Sequence, residues 1–364
     1  MNDFSIGFIG LGLIGGSIAK SIRRIFPDYK IIGFDNNIET LKIATADGTL
    51  TEYTDDLQTI AGCNYIFLCA PVHYNIEYLK RLKPYLAEST ILTDVGSVKL
   101  DIYEAVQELG LSKYFVGGHP MVGSERSGYD AAADRLIENA YYFITPADGV
   151  FPGKTEEFST FIGDLGAIPI IYSPVEHDRI TSYISHVPHV IAASLVNLVA
   201  DADSPDNIFK SLAAGGFKDI TRIASSNPVV WEHILLANPD NIVNGLQEYV
   251  ELIDKMIYHI KQRDAAGINA FFASARDYRD SIPNNSSGVI RMHHELFVDI
   301  PDEAGAIAKV TSFIAEAKIS LKNIGVSHNR EDEEGVLRLS FYDADARRNA
   351  QDVLNAAGYR IYNR

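Results

Sequence analysis

Cysteine is scarce in this chain, with two in 364 residues, Cys63 and Cys69. The intervening Asn-Tyr-Ile-Phe-Leu reads as extended strand, which would hold their Cα atoms beyond disulfide reach. A disulfide framework is excluded, and reduced thiols in a cytoplasmic protein are expected. Positive charge is also short, 32 Lys and Arg against 48 Asp and Glu, a formal net charge of −16. A field of that sign repels phosphate backbones and anionic headgroups, so neither nucleic acid nor a membrane surface is an expected partner. No basic residue precedes the N-terminal apolar run, which argues against a secretory signal. The apolar stretch Ile184–Ala200 is interrupted by His186, Pro188, His189 and Asn197, and no membrane span is expected. Tandem repeats and low-complexity tracts are absent.

What is present is a globular composition, 46% hydrophobic and 22% charged, long enough for two or three domains. Short apolar runs (FSIGFIG, KIIGFD, YIFLCAP, TILTDVG, KYFVGGH, AYYFITP, AIPIIYS) alternate with helical stretches such as Ile38–Asp47 and Val72–Leu86. That alternation predicts a mainly parallel sheet covered on both faces. From Val175 long helical periodicity takes over, through Ile184–Ala200, Pro205–Ala213, Trp231–Ala237 and Asp240–Ser274. One helix is expected across ILLANPDNIVNGLQEYVELIDKMIYHIKQRD, and its wide apolar face requires helical neighbours or a second copy of the chain. Asp280–Ser287 is polar and reads as a linker. Beyond it the order strand, helix, strand, strand, helix, strand predicts a ferredoxin-like βαββαβ unit of about 70 residues, with REDEEG as a solvated hairpin tip.

Gly10-Leu-Gly12-Leu13-Ile14-Gly15 lies between an apolar strand and a helix, the context that a dinucleotide-binding turn requires. The first glycine permits the tight turn, the second lets backbone approach a pyrophosphate, and the third allows close helix–strand packing. Asp35 ends the next strand, where an acidic residue accepts hydrogen bonds from a ribose. A carboxylate there repels a 2′-phosphate, and Asn36-Asn37 offers no cation to offset it, so NAD is favoured over NADP. The candidate cofactor contacts are Gly10, Gly12, Leu13, Ile14, Gly15 and Asp35, with Pro71 at the end of YIFLCAP.

Two further polar segments, Thr93–Lys99 and Gly117–Glu125, follow apolar strands, at the strand ends where doubly wound sheets bind ligands. A third pairs Ser185-His186-Val187-Pro188-His189 with Gly215-Gly216-Phe217-Lys218-Asp219-Ile220-Thr221-Arg222. In this order GLGLIGGS, TDVGSVK, GGHPMVGSE, SHVPH and GGFKDITRIA resemble the prephenate dehydrogenase family, and PDEAGAIAKVTSFIAEAKISLKNIGV resembles an ACT domain. The resemblance covers nearly the whole chain. It implies a doubly wound Rossmann domain over 1–173, an all-α substrate and dimerisation domain over 174–282 and an ACT regulatory domain over 292–364. The implied assembly is a homodimer.

The implied reaction is NAD-dependent oxidative decarboxylation of prephenate to 4-hydroxyphenylpyruvate in tyrosine biosynthesis, without a metal. His119 matches the catalytic histidine, a suitable proton acceptor near neutral pH. Ser97 matches the serine that bonds the reacting hydroxyl, and Arg222 the arginine that clamps a carboxylate. His189 matches a second substrate-contacting histidine, and Glu125 an acidic residue that gates the site. Ser124 and Gly215 complete the implied substrate contacts. Arg222, His189 and Lys218 would make a cationic pocket inside an acidic protein, whereas Trp231 reads as a packing anchor and His186 and Lys99 receive no firm role. In the ACT part, Asp302, Gly305, Ala306, Asn323 and Ile324 match the effector site, which implies tyrosine as a feedback ligand. His293-His294 reads as strand-edge polarity rather than a metal site. Arogenate dehydrogenase, an NAD- and amino-acid-sensing regulator, and a hydroxyacid dehydrogenase using Lys218 are the competing readings.

Overall fold

In the computed structural model the described residues are 4–123, 126–282, 294–301, 303–328, 334–342 and 344–362. They divide into two units, Met1–Gly288 and Val289–Arg364. The first unit opens with five parallel strands, β1 (Ser5–Ile9), β2 (Lys30–Phe34), β3 (Glu52–Tyr53), β4 (Tyr65–Leu68) and β5 (Ile91–Asp94), in the order β3-β2-β1-β4-β5. Helices α1 (Leu13–Ile25), α2 (Ile38–Ala46), α3 (Leu57–Ala61), α4 (Val72–Leu82) and α5 (Leu100–Glu108) connect and follow them. Alternate residues of each strand face opposite sides. Ile6, Phe8 and Phe67 pack with Ile18 and Ile22 of α1, while Ile9, Ile66 and Leu68 pack with Leu79 of α4 and Ile102 of α5. Both faces are thus buried, which is why these strands read as continuous apolar runs.

The sheet does not stay parallel. β6 (Val116–Pro120) runs antiparallel to β7 (Tyr141–Pro146), and β8 (Ile168–Ile171), reached through α6 (Lys154–Asp164), is parallel to β7. A parallel bridge between Leu92 and Phe115 links this group to β5. The two-residue β3, exposed and at the edge, has no apolar run to announce it. His119 lies within β6 rather than in a loop after it.

Helices then take over: α7 (Pro174–Thr181), a π-helical turn over Ser182–His186, α8 (Val187–Ala202), α9 (Ile208–Leu212), α10 (Gly215–Thr221), α11 (Pro228–Ala237), α12 (Pro239–Lys261) and α13 (Ala265–Ser281). A reciprocal Ser173–Glu176 capping box starts α7, satisfying two amides the helix cannot. The single helix expected across ILLANPDN is broken at Asn238, because Pro239 has no amide proton and takes the first position of a new helix. The periodic stretch Asp240–Ser274 breaks too, where Arg263 adopts φ 53° and Asp264 caps α13 through the Gly267 amide. The run Pro174–Ala202 is, by length and composition alone, apolar enough to cross a membrane, a test that core helices of globular proteins also pass. Its first turns instead bury His177, Asp178, Thr181, Ser182 and His186 inside the first unit.

The second unit is β9 (Glu295–Pro301), α14 (Ala306–Glu316), β10 (Leu321–His328), β11 (Glu334–Phe341), α15 (Ala344–Ala356) and β12 (Ile361–Tyr362). Its antiparallel sheet has the order β10-β11-β9-β12. Leu296, Val298 and Ile300 alternate inward on β9 and meet Val310 and Ile314 of α14 and Leu354 of α15. His293, most of REDEEG and most of the linker lie outside the described residues.

Candidate active site

Gly10 follows β1 at φ 93°, a conformation costly for any side chain. A Cβ there would lie 2.9 Å from the Ala70 nitrogen, and one on Gly15 2.5 Å from the Gly10 carbonyl oxygen. Both glycines let backbone pass backbone. Gly12, before the start of α1, has nothing within 4 Å of its would-be Cβ. It opens onto a groove of about 270 Å³ lined by Gly10, Gly12, Asp35, Asn36, Pro71 and Tyr74 among others. One Asp35 oxygen accepts the Leu11 amide at 2.7 Å and the other the Asn37 amide at 2.7 Å. The carboxylate therefore stands fixed at the groove wall with lone pairs to spare. Leu13 and Ile14 form the first turn of α1, where free amides and the helix dipole suit an anion. This cradle fits a dinucleotide.

Asp94, at the end of β5, is fully buried and organises the adjacent catalytic candidates. It accepts the Gly96 amide at 2.9 Å and the Gly118 amide at 3.2 Å, and the Lys99 ammonium donates to it. Lys99 also donates to the Gly118 carbonyl at 2.8 Å. Burial pushes the Lys99 ammonium down while Asp94 holds it up. The turn carrying Ser97 and the strand carrying His119 are thereby tied to one another. Gly118 admits this closeness, since a Cβ there would lie 2.7 Å from Tyr142 Oη and 2.8 Å from the Asp94 carbonyl. Ser97 itself is half-buried. A Cβ on Gly96 would lie 3.5 Å from Val72, next to groove-lining Pro71.

His119 Nδ1 lies 2.8 Å from His177 Nε2, and His177 Nδ1 lies 2.7 Å from Asp178 Oδ1. Asp178 in turn accepts the Lys99 amide at 2.8 Å and the Leu100 amide at 2.9 Å. Burial first, then the neighbouring His177, Lys99 and His186, hold the His119 imidazole well below its ordinary protonation range. Burial likewise takes His177 down to about 2. Neither His177 nor Asp178 was singled out in the sequence. The signal available was a His-Asp pair opening the first helix after the last strand.

His186 is buried, with Nδ1 3.5 Å from Asn238 Nδ2, and burial lowers it to about 4. His189 Nδ1 lies 2.8 Å from the Ser185 carbonyl, and its ring stacks on Trp231 with centroids 3.9 Å apart. Burial lowers its protonation, against the bond to Ser185, and the charge of Arg222 adds to the lowering. Trp231 thus packs on a candidate substrate contact, not merely on its own helix. Arg222, Gly215 and Lys218 are exposed. Ser124 and Glu125 lie outside the described residues, as does Asp302. In the second unit Gly305 takes φ 91° before α14, Ala306 is buried, the Asn323 side chain accepts the Ile324 amide at 2.7 Å, and Ile324 is exposed.

Comparison with known proteins agrees with this geometry. Residues 18–167 match the family model for the prephenate dehydrogenase nucleotide-binding domain, and 173–274 that for its dimerization domain. The chain is 39% identical over 350 residues to the prephenate dehydrogenase of Bacillus subtilis, covering 95% of this chain and 94% of the relative. It is 33% identical over 353 residues to that of Lactococcus lactis, covering 96% and 97%. Among solved structures, prephenate dehydrogenase from Aquifex aeolicus, in complex with hydroxyphenyl propionate and NAD+, superposes with a TM-score of 0.73 at 30% identity. That match covers 78% of this chain and 99% of the Aquifex chain. A nucleotide groove and a hydrogen-bonded histidine network, in a chain similar to these enzymes over nearly its whole length, identify it as a member of the prephenate dehydrogenase family.

Proposed function

We propose that the chain catalyses NAD-dependent oxidative decarboxylation of prephenate to 4-hydroxyphenylpyruvate, with His119 as proton acceptor. The observation that carries this reading is the half-buried imidazole of His119, bonded through Nδ1 to His177 and carried on β6, whose Gly118 is tied to Asp94 and Lys99. His119 takes the proton of the ring hydroxyl as the carbinol C–H bond breaks, and Ser97 holds that hydroxyl in line. Bound NAD, cradled by Gly10, Gly12, Leu13, Ile14, Gly15, Asp35 and Pro71, supplies the hydride acceptor. Arg222 and His189 bind substrate carboxylate, and Gly215, Ser124 and Glu125 are assigned as further substrate contacts. The C–C bond to the ring carboxylate then breaks, carbon dioxide leaves, the electron pair of that bond completes an aromatic ring, and the ring oxygen takes back the proton held by His119. The products are 4-hydroxyphenylpyruvate, carbon dioxide and NADH.

We divide the chain into a nucleotide domain over 1–173, a helical substrate and dimerisation domain over 174–282 and an ACT domain over 292–364. The βαββαβ topology and the 350-residue similarity to the Bacillus subtilis enzyme support the last. Tyrosine is its effector, at Asp302, Gly305, Ala306, Asn323 and Ile324. A homodimer through the helical domain is supported by the dimerization-domain match and by exposed Leu198, Leu236 and Phe272. The cytoplasm suits the free thiols of Cys63 and Cys69.

Rates of NADH formation with prephenate and with arogenate, each under NAD and NADP and with or without tyrosine, test the reading. Preferred use of prephenate with NAD is expected. A strong arogenate preference overturns the substrate, and no turnover of either overturns the enzyme in favour of a sensing role.

A further inference from the structure

Resting on His119 as the proton acceptor, we infer that His177 and Asp178 are its positioning pair. Through two consecutive hydrogen bonds they fix the His119 tautomer, so that Nδ1 carries the proton and Nε2 presents a lone pair to the substrate hydroxyl.

The direction of each bond follows from the end that cannot turn. Asp178 receives backbone amides on both oxygens, Lys99 on Oδ1 at 2.8 Å and Leu100 on Oδ2 at 2.9 Å. Burial raises the Asp178 carboxyl, but the two amides at the start of α5 and the Lys99 charge oppose that rise by binding its ionised form, and a carboxylate can only accept. His177 Nδ1, 2.7 Å from Asp178 Oδ1, must therefore carry a hydrogen. The His177 ring is fully buried and burial keeps it neutral, so its Nε2 has no hydrogen and is an acceptor. His119 Nδ1, 2.8 Å away, is left as the donor. A neutral His119 ring with its hydrogen on Nδ1 has its lone pair on Nε2.

The arrangement also resists rotation. The His177 ring meets Phe143 edge-on with centroids 4.8 Å apart, and the His119 ring lies nearly parallel to the same phenyl. When His119 accepts a proton at Nε2, its Nδ1–H remains bonded to His177, and the Asp178 charge stands one ring further away to stabilise the imidazolium. No proton need pass along the chain, as in other histidines oriented by a buried carboxylate. The pair sits on α7 whereas His119 sits on β6, so the bond at His177 also sets how the start of the helical segment meets the strand that carries the base.

The test begins with the unaltered full-length protein labelled with ¹⁵N-histidine, His119 being assigned by loss of its signals in His119→Asn. Protonated Nδ1 and bare Nε2 are expected at neutral pH. The opposite tautomer overturns the inference whatever the enzyme's activity. Next, kcat and KM are compared for His177→Phe, which fills the volume without an acceptor, and His177→Gln, whose amide oxygen can still accept. His177→Phe should lower kcat about 100-fold with both KM values within about threefold, and His177→Gln should recover about tenfold of that loss. Equal losses in the two variants, or unchanged kcat in His177→Phe, overturn the inference. Wild-type protein that turns over neither prephenate nor arogenate removes the functional reading while leaving the tautomer result to be judged by itself.

Discussion

The Lys99 ammonium donates to the Asp94 carboxylate where neither side chain is more than 1% exposed. The pair closes the turn that carries Ser97 and, through Gly118, holds the strand that carries His119. Removing one partner leaves a buried charge with no compensation, which costs about 3–5 kcal/mol. Lys99→Met should therefore lower the unfolding free energy of the first unit by that amount in urea titrations. The double variant Lys99→Met, Asp94→Leu should lose less, although it forfeits the Gly96 and Gly118 amide contacts.

Gly118 allows the approach between β6 and its neighbours. Because a Cβ would lie 2.7 Å from Tyr142 Oη and 2.8 Å from Cε1 of the same ring, Gly118→Ala forces a buried tyrosine or β6 to shift. Overpacking of this kind costs about 1–3 kcal/mol. Thermal unfolding should show the loss, and kcat should fall more than NAD binding because His119 moves with the strand.

Asp35 should decide which dinucleotide is used. A carboxylate about 4–8 Å from a 2′-phosphate repels each unit of its charge by about 2–4 kcal/mol at an effective dielectric of 20. Asp35→Ser should erode the preference for NAD over NADP, measured as a ratio of kcat/KM, by about two orders of magnitude. An unchanged ratio would place the ribose elsewhere.

Acid should destabilise the first unit through its neutral histidines. His119, His177 and His186 all have protonation depressed by burial. In the unfolded chain they take up protons below about pH 6.5 while the folded chain does not. The unfolded state then binds more protons, so stability rises with pH and is lost as pH falls below about 6.5. Each histidine contributes a slope of about 1.4 kcal/mol per pH unit, continuing to about pH 4 for His186 and about pH 2 for His177. Buried Asp178, raised by desolvation, works in the opposite sense near its own titration. Urea midpoints at pH 7.5, 6 and 5 check the slope. The same depression of His119, set first by burial of its ring and then by His177, Lys99 and His186, should put the acidic limb of the kcat/KM profile below pH 6.5.

Much of the nucleotide site was legible because its requirements are local. Gly10, Gly12 and Asp35 sit where a turn, an open approach and a strand end demand them, and the alternation in HELFVDIP already marks the inward face of β9. What was hidden depends on partners distant in sequence. His177 lies 58 residues from His119, and nothing in Glu176-His177-Asp178 alone says which side chain it will meet. Strand direction was hidden as well, since an apolar run reads the same in either sense and β7 turned out antiparallel to β6. Apolar periodicity also ran straight through Asn238-Pro239, where the missing proline amide divides two helices.

The central claim is that His119 accepts the substrate proton, and kinetics of His119→Asn with prephenate and NAD test it most directly. The account predicts a fall in kcat of about 10²–10⁴ with NAD affinity and the folded structure kept. Turnover close to wild type in that variant would contradict it.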